Sequence, residues 1–395
     1  MVKRRTVMWG LLGLGTAVAS CRPSASADLN VKLLARSVPS QVLKAFGRET
    51  LTRFEAETSL VDIYQQLQWW QAQTPLSPPL WRRLIPLGNS TPEGTVSANV
   101  DTHLVTLSDP WLEHAIAQDL IQPLPELDVV KTLPEPWQRL LRRDHQKRSI
   151  PDGKLWAVPY RTQGLMIAYQ KHIFKVNTNN KPITKWADLW RPELAGRIAI
   201  LNQPRLVASI VLQALQYSVN DEAALARDDV KEQLSALYRQ VKVFDSQAYL
   251  KALVNEDVWL AVGWSGDILA TLVRYQRLGA VHPQEGTVLT SDLWVAPAGA
   301  ELNKAAQSWM EFCWQPPIAT QISVSSYGLS PLFFSPDADV PSQLDKQTLL
   351  VPDHGEVLLP LSQEGQANLA ALFSADDYPE LHLDQSNSIQ QHKRV

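Results

Sequence analysis

The chain has 395 residues, of which 45% are hydrophobic and 19% charged, with a formal net charge of -3. That length can bury the cores of two domains or two lobes. The lack of an Arg-rich tract or a one-sided basic stretch argues against nucleic acid as a partner.

At the start, Lys3-Arg4-Arg5 is basic, Val7 to Val18 is a short apolar run, and Val18-Ala19-Ser20-Cys21 sets small residues directly before a cysteine. The run is shorter than a membrane-spanning helix requires. This order of features resembles the bacterial lipoprotein signal. The resemblance implies cleavage of residues 1–20, lipid on Cys21, a polar tether over 21–28, and a periplasmic protein anchored to the membrane. Arg4-Arg5 followed by Thr6-Val7-Met8 also fits a twin-arginine signal, so Sec and twin-arginine export both stay open. Losing Lys3, Arg4 and Arg5 takes the formal charge from -3 to about -6. Cys313 then has no internal disulfide partner and suits a helix core. The eight His are scattered without metal-ligand spacing, so no metal or other cofactor is expected.

Along the mature chain, Leu29–Leu34 alternates as a strand does, and Pro39-Ser40 opens a helix running to about Arg53. Ser59–Gln73 carries Leu60, Ile63, Tyr64 and Leu67 at helical spacing. Residues 74–92, rich in Pro, Leu and Trp, allow no assignment. His103–Leu107 reads as a buried strand, Ser108-Asp109-Pro110 as a helix start, and Trp111–Asp119 as the helix. Alternating strand and helix is the doubly wound α/β signature. Pro123–Pro136 is a connector, and Trp156–Tyr160 and Leu165–Tyr169 are two short strands. Trp186–Leu194 is a short helix broken by Pro192, Arg197–Leu201 a strand, and Leu206–Tyr217 an apolar helix. Asp221–Val241 reads as an amphipathic helix pair and Gln247–Val254 as a further helix. Val281–Pro283, Thr287–Thr290 and Leu293–Pro297 are strand fragments, and Lys304–Trp314 is a helix with Ala305, Trp309 and Phe312 inward. Helical pieces occupy 342–378, and 381–395 is a polar tail.

The run Val258–Leu272 is the most suggestive. An apolar strand ends at Gly263-Trp264-Ser265-Gly266-Asp267 and an apolar helix follows. Two glycines permit a sharp turn and close backbone approach. A strand-to-helix turn is a common ligand position in α/β proteins. Asp267 is equally readable as a helix cap or dipole partner. The turn lacks the spacing of a nucleophile elbow, and nothing joins Ser265 to the nearest downstream His, His282. No P-loop or G-x-G-x-x-G occurs, and no carboxylate pair stands out for glycoside hydrolysis.

Several stretches together resemble bacterial extracellular solute-binding proteins, and among those the spermidine/putrescine-binding group. They are Trp186–Ile200, the turn Val258–Asp267, Pro283-Gln284-Glu285-Gly286, and Ser291–Pro297 with its Asp292. Val38 to Phe46 and Leu104–Leu124 match the first two strand–helix units. The resemblance implies an α/β, two-lobed periplasmic-binding-protein (type II) fold with a hinge and an interlobe cleft. It implies lobe one at 29–160 and 290–325, and lobe two at 161–289 and 326–380, with crossings near Tyr160–Thr162 and Thr290–Asp292. It also implies a monomer that hands a small polar solute, a polyamine among the candidates, to an ABC permease, with no catalysis. A secreted cleft enzyme and an envelope interaction or sensor module are the alternatives.

A polyamine needs carboxylates for its ammonium ends and aromatic walls for its methylene chain. Carried over position by position, the resemblance keeps Ser108, Asp292 and Tyr327. It replaces a Trp-Thr pair by Leu34 and Ala35, an acidic pair by Gln203 and Leu206, and a Trp by Thr290. The ligand-binding candidates are therefore Asp292, Trp264, Ser108, Tyr327, Asp267 and Gln203. Arg36, Arg161 and Arg205 are placed near the mouth, where Arg suits an anion better than an ammonium; each taken alone reads as a solvated surface residue.

Overall fold

A computed structural model describes residues 27–73, 100–174, 181–335, 337–346, 355–373, 378 and 381. The signal segment with Cys21, the stretch 74–92 and the tail from 382 onward lie outside the described residues.

The first third alternates strand and helix: β1 (Leu29–Leu34), α1 (Ser40–Phe46), β2 (Thr52–Glu57), α2 (Leu60–Gln73), β3 (Leu104–Ser108) and α3 (Asp109–Ala117). The helix opened by Pro39 stops at Phe46 rather than near Arg53. Gly47 caps it, its N–H donating to the Leu43 carbonyl at 3.0 Å. Thr52–Glu57 is instead a strand parallel to β1. Its alternating charges sit on a solvated edge, where Glu55 and Glu57 lie 2.8 and 3.7 Å from Lys32. Short pieces follow: β4 (Ile121–Gln122), α4 (Asp128–Lys131), α5 (Glu135–Leu141), β5 (Arg142–Arg143) and β6 (Lys154–Leu155). The Pro-spaced connector thus contains one helix and leads into another, with Trp137 and Leu140 of α5 buried.

Four of the expected strand fragments fuse into two long strands, while the one at Val281–Pro283 is replaced by a strand just before it, Leu278–Val281. β7 runs unbroken over Val158–Gln170. β12 spans Thr287–Pro297, and all 11 of its residues are buried. Between them come β8 (Ile198–Ile200), α6 (Pro204–Ala214), α7 (Asp228–Gln240), β9 (Val241–Phe244), α8 (Tyr249–Val254), β10 (Leu260–Trp264), α9 (Ser265–Arg274) and β11 (Leu278–Val281). Trp186–Trp190 and Pro192–Leu194 form two 3-10 turns, the break falling where Pro192 was expected to make it. The chain ends in α10 (Lys304–Cys313), α11 (Pro316–Ser326), α12 (Ser342–Lys346), β13 (Gly355–Val357) and α13 (Gln363–Leu372). In α10 the buried residues are Ala306, Trp309, Met310 and Cys313, whereas Ala305 and Phe312 are only partly covered.

The strands run in the order β2-β1-β3-β12-β7-β10-β8-β9. The first half of β7 pairs antiparallel with β12; its second half lies against β10 and β11. Core membership divides along the same strand. Tyr160 packs with Val105, Leu293 and Trp309 in one core, while Leu165 to Ala168 pack with Trp186, Val207 and Val262 in another. On β12, Val288 belongs to the second core and Leu289 to the first. The chain passes between the cores again after α11. Ile322 lies in the first core, Leu329 and Leu344 in the second, Val357 in the first, and Leu369 in the second. β7 and β12 are therefore beams shared by two lobes, and their midpoints lie where the two cores meet.

Candidate functional site

Three strands set a row of polar side chains at that midpoint. Asp292 on β12 is opposite Ser108 on β3 and opposite Arg161 on β7. Residues directly opposite in antiparallel strands point to the same face, so Ser108, Asp292 and Arg161 share one surface. Thr290, two residues before Asp292, shares that face and lies opposite Gln163.

Asp292 is 5% exposed, and its Oδ2 lies 2.7 Å from the Arg161 Nε. The two atoms form an ion contact without the alignment of a hydrogen bond. Burial raises the pKa of Asp292, and the guanidinium pulls part of that rise back. A buried charge in such a place is tolerable only because its counter-charge is beside it. Gly328 roofs Arg161: a Cβ there would meet the arginine Cγ at 2.5 Å. The sequence turns sharply to bring Gly328 in, because Tyr327 takes a left-handed conformation with φ of 54°.

Asp109 opens α3 and is 7% exposed. Its Oδ1 accepts a hydrogen bond from the Thr290 hydroxyl, and its Oδ2 has no hydrogen-bond partner. Burial pushes its carboxyl up to about 7; the Thr290 bond opposes the shift and the Asp292 charge adds to it. The Ser108 Oγ lies 3.5 Å from the Thr290 Oγ1. Beneath, the buried Tyr160 hydroxyl donates to Ser37 at 2.9 Å and meets Thr106 at 3.1 Å, and its ring stacks on Trp294 at 4.1 Å.

The second lobe contributes the start of α9. The Gly266 N–H donates to the Gln163 Oε1 at 3.0 Å, and the Ser265 Oγ accepts from the Gly164 N–H at 3.3 Å. The Asp267 carboxylate accepts from the Tyr249 hydroxyl at 3.3 Å, not from a helix amide, so it is not the helix cap. Partial desolvation raises its pKa, against the pull of Arg161 and Tyr249, yet its side chain still reaches solvent. The glycine at 263 is needed for this arrangement, since a Cβ there would lie 2.1 Å from the Tyr249 ring. His282 bonds the Leu165 carbonyl at 3.3 Å, and no hydrogen bond joins it to Ser265.

Arg161 and Arg205 are thus not solvated surface residues. Arg205 lines a cavity of 210 Å³ that spans the lobes, with Arg139 and Ser149 on one side and Asn220 and Glu222 on the other. Burial lowers its pKa to about 10, and its Nη1 has no hydrogen-bond partner. Arg36 is exposed, as expected. Of the sequence candidates, Asp292 and Asp267 are near enough to feel each other's charge, and Ser108 lies opposite Asp292 across the strands. Tyr327 stands next to Arg161 through Ser326, whose carbonyl is 3.5 Å from the arginine Nη1. Trp264 is half-buried and packs against the second core. Gln203 stays exposed at the start of α6, with no side-chain contact to these residues. Asp109, Gln163, Tyr249 and Thr290 are additional members of the site. A charge within the apolar run 287–297 is the signal that marks Asp292. No comparable signal marks Tyr249, which enters from a separate helix. Among the described residues no three His, Cys, Asp or Glu side chains converge as a metal site.

Two α/β lobes sharing long strands, with a polar group at the crossing, make up a two-lobed binding-protein fold. Residues 100–357 match the model of the bacterial extracellular solute-binding protein family, and the chain belongs to that family. It is 27% identical over 143 residues to the spermidine/putrescine-binding periplasmic protein of Escherichia coli (strain K12), covering 36% of this chain and 41% of that protein. It is 25% identical over 295 residues to the putrescine-binding periplasmic protein PotF of the same organism, covering 70% of this chain and 72% of PotF. The fold is also that of the spermidine/putrescine ABC transporter substrate-binding protein PotD from Streptococcus pneumoniae, with a TM-score of 0.63 at 17% identity over 93% of this chain and 99% of that one.

Proposed function

We propose that this protein is the substrate-binding component of an ABC importer. It captures a small polar solute between its lobes and presents the closed form to a permease. The observation that carries the reading is the group Ser108–Asp292–Arg161–Asp267. It is assembled from both lobes at the shared strands, so a ligand held there touches both sides of the hinge. The relatives named for spermidine and putrescine support a cationic solute. No catalytic role is assigned to Ser265, whose hydroxyl is engaged by the Gly164 amide. Cys21 carries the lipid that holds the protein to the membrane as a periplasmic monomer.

A thermal-unfolding screen with polyamines, amino acids, sugars and organic anions tests the reading. A ligand present at 100 times its Kd stabilises the folded state by about 2.7 kcal/mol. A raised midpoint with one solute class is expected, and no shift with any class defeats the proposal. For the anchor, labelled palmitate is expected to enter the wild-type chain in cells and not Cys21→Ala. Equal labelling of both would remove Cys21 from that role.

A further inference from the structure

The cleft holds its own cation. A diamine held by ion pairs at both ends needs a carboxylate available to each. The charge of Asp292 is already balanced, because the Arg161 guanidinium lies 2.7 Å from its Oδ2 and both side chains are nearly buried, at 11% and 6% exposure. The carboxylate open to an incoming ammonium is Asp267, which reaches solvent and is engaged by one phenol, that of Tyr249. Asp109 is turned toward Thr290 and shielded from solvent. The remaining groups on the same face are neutral: Ser108, Thr290 and Gln163. Their hydroxyl and amide atoms can hydrogen-bond a polar end but supply no negative charge to balance a second ammonium.

From this we infer that Arg161 takes the place of the ligand's second cation, so that the cleft accepts a solute with one ammonium and one neutral hydrogen-bonding end. The inference rests on the solute-capture reading and names its substrate class. The buried Arg161–Asp292 pair is neutral as a unit, so a second ammonium brought against it would face the guanidinium. A carboxylate end would meet Asp292 and Asp267 instead. Arg161 is a specificity-determining residue because its removal frees Asp292 for a cation.

Three ligands that differ at one end test it: 1,4-diaminobutane, 4-aminobutan-1-ol and 4-aminobutanoate, each titrated calorimetrically into the full chain. The amino alcohol is expected to bind tightest to the wild type. Arg161→Gln should shift the preference toward the diamine by about tenfold, the scale of one charge-assisted hydrogen bond. That variant leaves a buried carboxylate unpaired and threatens folding. The double variant Arg161→Gln/Asp292→Asn therefore accompanies it; it restores neutrality and should keep the wild-type order. Tightest binding of the diamine or of the amino acid by the wild type overturns the inference while leaving solute capture intact. So does a double variant that switches to the diamine. Failure of these three and of every solute in the wider screen overturns the transport reading and this inference with it.

Discussion

Burial holds the Asp109 carboxyl at about 7, against an ordinary 3.8. Between those values the folded chain keeps a proton that the unfolded chain has released, so stability falls as pH rises through that window. Asp109→Asn removes the titration and keeps an oxygen to accept the Thr290 hydroxyl. The variant should match the wild type at pH 4 and exceed it at pH 8, by up to about 4 kcal/mol for a shift of roughly three units. Denaturant unfolding at the two pH values measures this, and an equal gain at both would refute the electrostatic account. The same residue shows how far the site can be read from sequence. Asp292 declares itself as a charge inside a buried run. Asp109, next to a proline at a helix start, looks like any first-turn acid; only the arrival of Thr290, 181 positions along the chain, removes it from water. Arg161 looked like a surface side chain because nothing local shows that Gly328 covers it.

At the scale of elements, helices with a clear apolar period were legible, as were the buried strands β1, β3, β8 and β10. The two long strands were misread for one cause. A strand that serves two lobes changes its neighbours midway, so its hydrophobic pattern changes too; β7 and β12 each read as two fragments. β2 failed for a different reason, being an edge strand whose charges are satisfied by Lys32. The turn from β10 into α9 falls where the sequence places it, and its glycines serve packing. A Cβ on Gly266 would lie 2.3 Å from the Gln163 Oε1 and break the bond that ties α9 to β7. Gly266→Ala should therefore lower stability by about 1–3 kcal/mol and weaken ligand binding as well. An unchanged melting midpoint would show that Gln163 moves aside freely.

For the molecule as a whole, the shared strands decide how it unfolds. Each lobe has its own core, which by itself would suggest two transitions. Yet β7 carries Tyr160 in one core and Leu165 to Ala168 in the other, and β12 is divided between Val288 and Leu289. Unfolding one lobe strips pairing partners from half of each shared strand and exposes residues such as Leu289 that the other half holds in place. The cost of that exposure couples the lobes, and one cooperative transition is expected. Trp186 and Trp309 report on the two cores separately. Trp186 is fully buried and its indole N–H donates to the Gly286 carbonyl at 3.0 Å, while Trp309 packs among Phe46, Phe54 and Trp294. Trp186→Phe and Trp309→Phe should each cost about 1–3 kcal/mol and lower the same single calorimetric midpoint. Two resolved transitions, each moved by only one of the substitutions, would mean that the beams bend without coupling the lobes. A ligand touching Asp267 and the Arg161–Asp292 pair would then have to supply the connection itself, and its addition should merge the two transitions into one.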